Sequence, residues 1–114
     1  MDGVYYDGKG NLLGIESGGG YNQSVKSDAG KLPLTLVPRE IIRAIGRTRQ
    51  FGVTKYKDPE NWRKVEAVRY RDAMFRHMLA YLDDPNGVDE ESGLKHLDHL
   101  ATNVAFLCEL EKDG

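Results

Sequence analysis

Four polar side chains recur at helical spacing in the last third of this 114-residue sequence. They follow one another at intervals of four, three and four residues, so a helix would place all of them on one face: Ser92, His96, His99 and Asn103. Imidazole rings and an amide supply hydrogen-bond donors, acceptors and nitrogen ligands for a metal ion. An ordinary solvated helix face has the same pattern, and the spacing alone favours neither reading.

A second group of residues could bind a phosphorylated ligand. Arg76 carries a planar guanidinium that matches phosphate oxygens, and His77 follows it among apolar and aromatic neighbours. Upstream, a short segment gathers a cation, a phenol, an amide and an indole: Lys55, Tyr56, Asn61 and Trp62. Such a set could stack on a base and neutralise phosphate charge. The structural alternatives are a wet charged face, a core histidine and an indole that closes the edge of a core.

The first helix that positions these residues is predicted at about 38–51. Pro38 suits the first helical position, Gly52 is the expected stop, and three isoleucines recur at helical spacing: Ile41, Ile42 and Ile45. Residues 32–38 are predicted to be extended, because each of the two prolines there disfavours a helical conformation in the residue before it. Residues 55–62 are predicted to form a loop.

Two further helices are predicted in the second half of the chain. One spans about 65–82 and ends at the turn-forming residues 83–87. Asp89 is expected to cap the other, with two glutamates in the first turn, where negative charge meets the positive end of the helix dipole. This last helix is predicted to continue to about Glu111, with an apolar stripe of Leu94, Leu97, Ala101, Val104, Ala105 and Cys108.

The N-terminal residues have a different character. Two short apolar runs at 4–6 and 12–15 flank a glycine-rich turn and predict a β-hairpin, and three glycines at 18–20 predict a flexible joint. We therefore expect a hairpin and joint over residues 1–25 and a helical domain over residues 26–114. The predicted fold class is mainly α, a small bundle of about three helices with an N-terminal β-hairpin. So small a bundle leaves much apolar surface exposed, so a homo-oligomer is expected.

Bulk composition narrows the class of protein. The formal net charge is −2, which argues against binding duplex nucleic acid, and the charged and hydrophobic fractions are those of a globular domain. Cys108 is alone and cannot form an internal disulfide, so a reducing compartment is expected. The sequence carries neither a signal-peptide pattern nor a run of ~20 apolar residues. The expected location is the cytoplasm, without membrane association.

The residues with chemical potential form one ordered series along the chain: Gly52, Lys55-Tyr56, Asn61-Trp62, Arg76-His77, Glu91 to His99, and Asn103. This series, with an opening segment at 26–31, resembles the phage and bacterial family of dATP/dGTP diphosphohydrolases, amino-terminal domain. The resemblance covers residues 26–110. It implies an all-α relative of the MazG-type pyrophosphohydrolases, which cut a deoxynucleoside triphosphate into monophosphate and pyrophosphate with Mg²⁺ held by helical carboxylates.

The carboxylates depart from the MazG pattern, which has a doubled glutamate, a third one turn later, and a further Glu and Asp on the next helix. The second predicted helix here offers only Glu66 and Asp72 and the third offers Glu90, Glu91 and Asp98, so the MazG array of carboxylates is absent from the sequence. If the chain is a pyrophosphohydrolase, the expected catalytic residues are Glu91, His96 and His99. Mg²⁺ or Mn²⁺ would be bound by Glu91 and Asp98. The expected ligand-binding residues are Lys55, Tyr56, Asn61, Trp62, Arg76, His77 and Asn103.

Two other interpretations stay open from sequence. The chain could bind a nucleotide without hydrolysing it, for example as a phage protein that sequesters a cyclic nucleotide or another signal nucleotide of host defence. Cations, imidazoles and aromatic rings without a carboxylate cluster suit that role, because binding phosphate requires no activated water and no metal cofactor. A purely structural role is the third interpretation.

Overall fold

The computed structural model describes residues 4–6, 12–15 and 30–113. The chain divides into two compact units, Met1–Pro38 and Arg39–Gly114. The domain boundary predicted after residue 25 stays a prediction.

The first unit contains the predicted β-hairpin. Strand β1, Val4–Tyr6, pairs antiparallel with β2, Leu12–Ile15, and the register is irregular between Tyr5 and Tyr6. The glycine-rich turn and the glycine joint predicted between and after these strands lie outside the described residues.

The expectation of an extended segment at 32–38 was wrong. Leu34–Leu36 forms a 3₁₀ turn, in which the backbone N–H of Leu36 donates to the Pro33 carbonyl at 3.0 Å. A proline constrains only the residue before it, and Val37 is indeed extended ahead of Pro38, with φ −73° and ψ 127°. The residues between the two prolines were free to turn.

Helix α1, Glu40–Tyr56, is longer than predicted and passes through the expected stop at Gly52. It ends at Lys57, whose left-handed backbone (φ 66°) lets its N–H donate to the Val53 carbonyl at 2.8 Å. Asp58 precedes Pro59 and is therefore disfavoured in a helix, so the chain must leave the helix there. A glycine inside a helix costs only about 1 kcal/mol relative to alanine and does not end the helix by itself. The predicted loop at 55–62 consequently begins two residues later, and Lys55 and Tyr56 are helical.

Helix α2, Ala67–Asp83, agrees with the prediction to within two residues at each end. A 3₁₀ turn, Asn61–Lys64, leads into it. Asp84 follows in an extended conformation because Pro85 comes next.

Helix α3, His96–Leu110, begins seven residues after the predicted cap at Asp89. Residues 88–95 instead form a turn that is closed by a bridge between Val88 and Lys95. Gly93 has φ +73°, and the Asp89 carboxylate accepts the Ser92 N–H at 2.9 Å, so local hydrogen bonds replace the first helical turns. Glu90 and Glu91 therefore lie in this turn, and Ser92 is not on the helix that carries His96.

Half of the apolar stripe predicted for the last helix is exposed, namely Leu97, Val104 and Cys108. Leu97 and Val104 are 42% and 41% exposed, whereas Asp98 and Thr102 are 5% and 2% exposed. Helix α3 packs against both α1 and α2, and its most buried residues are polar. The expectation that such exposed apolar surface is covered in a homo-oligomer stays a prediction. Among the described residues, no helix combines the length and apolar character needed to cross a membrane.

Candidate functional site

A cavity of about 760 Å³ opens among the three helices of the second unit. That volume is in the usual range for small-molecule sites. The residues predicted from sequence to bind ligand that line it are Lys55, Tyr56, Asn61, Trp62, Arg76, His77 and Asn103, together with the predicted catalytic residues Glu91 and His99. The fold thus brings these residues to one cavity from all three helices and two turns.

One wall of the cavity is aromatic. Trp62 stacks on Phe106 with ring centroids 4.5 Å apart and planes 9° from parallel, and Tyr70 packs on the same ring at 4.9 Å. The Tyr70 hydroxyl donates to the Trp62 carbonyl at 2.9 Å, which fixes the 3₁₀ turn to α2. The Arg49 guanidinium lies 5.3 Å from the Phe106 centroid. Trp62 therefore has a structural role in addition to its position at the cavity.

Two cations line the cavity in different electrostatic settings. Lys55 is ion-paired with Glu91, and this hydrogen bond is the main cause that raises the lysine pKa, with a second contribution from Tyr56. Arg76 takes part in none of the ion pairs formed among the described residues. The guanidinium of Arg76 is thus available to an anionic ligand without prior displacement of a carboxylate.

The three histidines of the chain form one cluster beside the cavity. His77 of α2 approaches His96 at the start of α3, with the two Nδ1 atoms 3.0 Å apart. The His99 ring stacks on the His77 ring, with centroids 4.7 Å apart and planes 12° from parallel. At least one Nδ1 of the close pair must be unprotonated to accept the hydrogen bond from the other.

Asp89 and Ser92 connect the 88–95 turn to this cluster. Ser92 Oγ lies 2.7 Å from His99 Nε2, and the Asp89 carboxylate lies 3.8 Å from the same nitrogen. Both partners meet the same ring nitrogen, so the three residues do not form a serine-protease triad, in which the carboxylate meets the other nitrogen. They hold the imidazole in a fixed position instead.

The surroundings lower the pKa of two imidazoles and one carboxyl group in this cluster. Burial is the main cause that lowers the pKa of His77 to about 4, and the neighbouring His99 and His96 lower it further. Burial also lowers the pKa of His99, against the opposing effect of Asp89. For Asp89 burial acts upward, but the hydrogen bonds from Ser92 outweigh it and the pKa lies below its ordinary value. Near neutral pH the His77 ring is therefore neutral and the Asp89 carboxylate is ionised.

One donor atom each from His77, His96 and Asp89 lies within 4.8 Å of the other two, a grouping typical of metal ligands. The sequence indicated both histidines but gave Asp89 only a capping role. The only sequence signal for Asp89 is a carboxylate seven residues before His96. This spacing indicates a shared site only when the 88–95 turn is known to fold back on α3. Arg49, Tyr70 and Phe106 were likewise missed, because apolar periodicity does not distinguish a cavity wall from a core.

The two carboxylates predicted from sequence to bind metal have other partners. Asp98 accepts hydrogen bonds from Arg47 at 2.9 and 3.2 Å, and Glu91 is held by Lys55. Metal binding by these two carboxylates stays a prediction, and each cation would have to move first. Asn103 has a buried side-chain oxygen with no hydrogen-bond partner among the described residues, at the edge of the cavity.

Comparison with known proteins identifies the family. Residues 21–114 match the family model described as dATP/dGTP diphosphohydrolase, N-terminal. A Salmonella phage PMBT28 protein named dATP/dGTP diphosphohydrolase is 35% identical over 83 residues, which cover 73% of this chain and 28% of that protein. The chain thus spans little more than a quarter of the relative that it matches. No solved structure matches the chain. As its ordered series of site residues predicted, the chain belongs to the dATP/dGTP diphosphohydrolase family, N-terminal domain.

Proposed function

We propose that this chain binds a purine deoxynucleoside triphosphate in its cavity and takes part in hydrolysing it to the monophosphate and pyrophosphate. The observation that carries the proposal is the convergence on one cavity of the Lys55–Glu91 pair, of His77, His99 and Asp89, and of Arg76, which forms no ion pair among the described residues. The name of the phage relative supports the choice of nucleotide and reaction.

The two cations would bind the triphosphate in different ways. Arg76 can donate two parallel N–H groups to phosphate oxygens at once. Lys55 must exchange its partner, because its ammonium is already bound to Glu91. A multiply charged phosphate competes well with a single exposed carboxylate, so binding would release Glu91 beside the ligand. Glu91 would then be available as the base that accepts a proton from the attacking water.

The nucleoside would be recognised by Tyr56 and Asn103. Tyr56 is 56% exposed and has Lys55 Nζ at 5.1 Å from its ring centroid, so a base stacked on the ring would lie beside the cation that binds its phosphates, whereas one face of Trp62 is already covered by Phe106. The unpaired oxygen of Asn103 can accept a hydrogen bond from a base amino group or a sugar hydroxyl. A partner for this oxygen would remove the cost of a buried, unsatisfied acceptor.

In the reaction, a water oxygen bonds to the α-phosphorus while the bond from that phosphorus to the bridging oxygen breaks. Pyrophosphate leaves, and the water proton passes to a base. Glu91, His99 and, while it binds no metal ion, His96 are the candidate bases, and Ser92 fixes the orientation of the His99 ring. A divalent ion bound to this chain would neutralise phosphate charge, and its best-fitting ligands are His77, His96 and Asp89.

The direct test is to incubate the purified protein with each deoxynucleoside and ribonucleoside triphosphate, with Mg²⁺ or Mn²⁺, and to separate the products by chromatography. We expect dATP or dGTP to yield its monophosphate and pyrophosphate. Glu91→Gln should abolish turnover while leaving the cavity cations in place. Absence of pyrophosphate from every triphosphate would refute the hydrolase proposal.

Arg76→Ala tests the phosphate contact, and Arg71→Ala is its matched control. Both arginines lie on α2, but Arg71 pairs with Glu111 and does not line the cavity. We expect Arg76→Ala to weaken triphosphate binding by at least about tenfold, as the loss of a charge-assisted contact of about 1.5–3 kcal/mol implies. Arg71→Ala should leave the affinity unchanged. Equal effects of the two substitutions would contradict the assignment.

Nucleotide sequestration is the second candidate function. Its support is that Glu91, which lines the cavity, is paired with Lys55, and that Asp98 is paired with Arg47 outside the cavity, so neither carboxylate is free to bind a metal ion for hydrolysis. The same chromatography separates the two functions if linear and cyclic nucleotides are included. A nucleotide that disappears from solution on mixing and returns intact on denaturation would support sequestration.

A further inference from the structure

We propose that His77, His96 and Asp89 form a binding site for one divalent transition-metal ion that prefers imidazole nitrogen, such as Zn²⁺ or Co²⁺, over Mg²⁺. This inference deepens the proposed function because it places an ion beside the bound triphosphate. The ligand set itself is argued from geometry alone and would serve a sequestering protein equally.

The spacing of the nitrogens matches a shared ion. Two ligand atoms that each lie about 2.1 Å from a metal ion are about 3.0 Å apart at a right angle and about 3.4 Å apart in a tetrahedron. The Nδ1 atoms of His77 and His96 are 3.0 Å apart. The Asp89 donor atom lies within 4.8 Å of them and would need to approach by on the order of 1 Å to complete the set.

The three ligands are held by different parts of the backbone. His77 is in the middle of α2, and the N–H of His96 at the start of α3 donates to the Gly87 carbonyl at 3.1 Å. The backbone of Asp89 is held on both sides, since its N–H donates to the Leu94 carbonyl at 2.8 Å and its carbonyl accepts from Gly93 at 2.7 Å. The ligand atoms therefore converge without depending on one flexible segment.

A second layer of contacts restrains the ligand side chains. His99 stacks on the His77 ring, and its Nε2 lies 3.8 Å from the Asp89 carboxylate. The Ser92 N–H donates to that carboxylate at 2.9 Å, and the Ser92 hydroxyl contacts His99. Partners of this kind commonly orient metal ligands and tune their affinity. They also explain why a third histidine lies so close to the pair without being among the three ligands.

The chemistry of the donors selects the ion. Mg²⁺ prefers an octahedron of oxygen ligands and retains several waters, whereas imidazole suits Zn²⁺ and its first-row neighbours. Three protein ligands leave at least one coordination position open. His77 and Asp89 both line the cavity, so this open position can face a phosphate oxygen of a bound nucleotide.

The test measures metal binding without any nucleotide. Protein stripped with a chelator is titrated with Zn²⁺, Co²⁺, Mn²⁺ and Mg²⁺ by calorimetry, and the bound metal is counted after dialysis by mass spectrometry. We expect one Zn²⁺ or Co²⁺ per chain, affinity falling from Zn²⁺ through Co²⁺ to Mn²⁺, and a visible Co²⁺ absorption typical of nitrogen and oxygen ligands. A stoichiometry near zero, or Mg²⁺ binding as tightly as Zn²⁺, would overturn the proposal.

Substitutions identify the ligands. His77→Gln, His96→Gln and Asp89→Asn should each weaken Zn²⁺ binding by at least about 100-fold, the upper end of the loss expected for second-layer partners alone. Glu90→Gln is the matched control, since this carboxylate is next to Asp89 but outside the group of donors. Circular dichroism verifies that each variant is folded, and two of the three ligand variants suffice if one does not fold. Unchanged binding in the folded ligand variants would refute the assignment.

The outcome is independent of the hydrolysis test. Metal binding without triphosphate turnover would support this site and remove the hydrolase proposal. Triphosphate turnover by protein that binds no transition metal would support the hydrolase proposal and refute this metal site.

Discussion

Phe106 should contribute more to stability than its partial burial suggests, because two aromatic rings pack on it. Trp62 stacks on one side at 4.5 Å and Tyr70 contacts it at 4.9 Å. These contacts join the 3₁₀ turn, α2 and α3 into one wall of the cavity. Phe106→Leu keeps a large apolar side chain and removes both aromatic pairs, so it isolates this effect.

The expected cost follows from the contacts. An aromatic pair contributes about 0.5–1.5 kcal/mol beyond the area it buries, so two pairs give about 1–3 kcal/mol. Phe106 is half-buried rather than fully buried, which places the expectation in the lower part of this range, about 1–2 kcal/mol. The free energy of unfolding of a small domain changes only slowly with urea concentration. This loss of stability should therefore lower the urea midpoint by about 1 M.

The assay uses urea unfolding followed by intrinsic fluorescence, because Trp62 is the single tryptophan of the chain and reports directly on the stack. Phe75→Leu is the matched control, since Phe75 is 55% exposed on α2 and has no aromatic partner among the described residues. We expect this control to cost less than about 0.5 kcal/mol.

The result that would refute the reasoning is a Phe106→Leu variant no less stable than Phe75→Leu at the same protein concentration. Concentration needs to be fixed because association stabilises a folded chain by mass action. If Phe75→Leu costs more in concentrated than in dilute protein, its ring lies at a subunit interface and another exposed residue must serve as the control.

Three further predictions concern charges. Arg47→Met should lower the urea midpoint more than Asp98→Asn, because the first leaves a buried carboxylate without its partner and the second leaves a guanidinium that water can reach. The free energy of unfolding of the metal-free protein should fall as the pH drops from about 6.5 towards 4, because His77 is protonated at a higher pH in the unfolded chain than in the folded chain. The melting temperature of His77→Gln should depend less on pH over this range. Lys55→Met should weaken nucleotide affinity measured by calorimetry, whereas Lys57→Met, outside the cavity, should not.

The elements that could be predicted from sequence are those with a strong local signal. The hairpin, α2 and the end of α3 follow from apolar periodicity and turn residues. The errors share a cause, which is that a local stop or start signal was outweighed by its neighbours. Gly52 was predicted to end α1, but Asp58 and Pro59 end it instead. Asp89 was predicted to cap α3, but Gly93 closes a separate turn before that helix.

The candidate site was partly predictable for the same reason. Helical spacing placed His96, His99 and Asn103 on one face, which holds in the structure. That His77 would meet this face, with Asp89 as a third donor, depends on how α2 and the 88–95 turn pack on α3. No periodicity within a single helix contains that information, so the sequence indicated His77 and His96 separately but not the group that they form with Asp89.

The burial pattern of α3, in which polar residues are the most buried, connects the fold to its function. Two of its apolar residues, Leu97 and Val104, are exposed, whereas its most buried positions are Asp98 and Thr102 and other inward side chains, Phe106 among them, line the cavity. Among the described residues only Ala44 is a buried hydrophobic residue, so apolar burial within this unit contributes little compared with a conventional core. Any ion or nucleotide bound at the inward face therefore acts where the three helices meet. Because a ligand that binds only the folded chain adds its binding free energy to stability, occupancy of this site and integrity of the bundle are coupled.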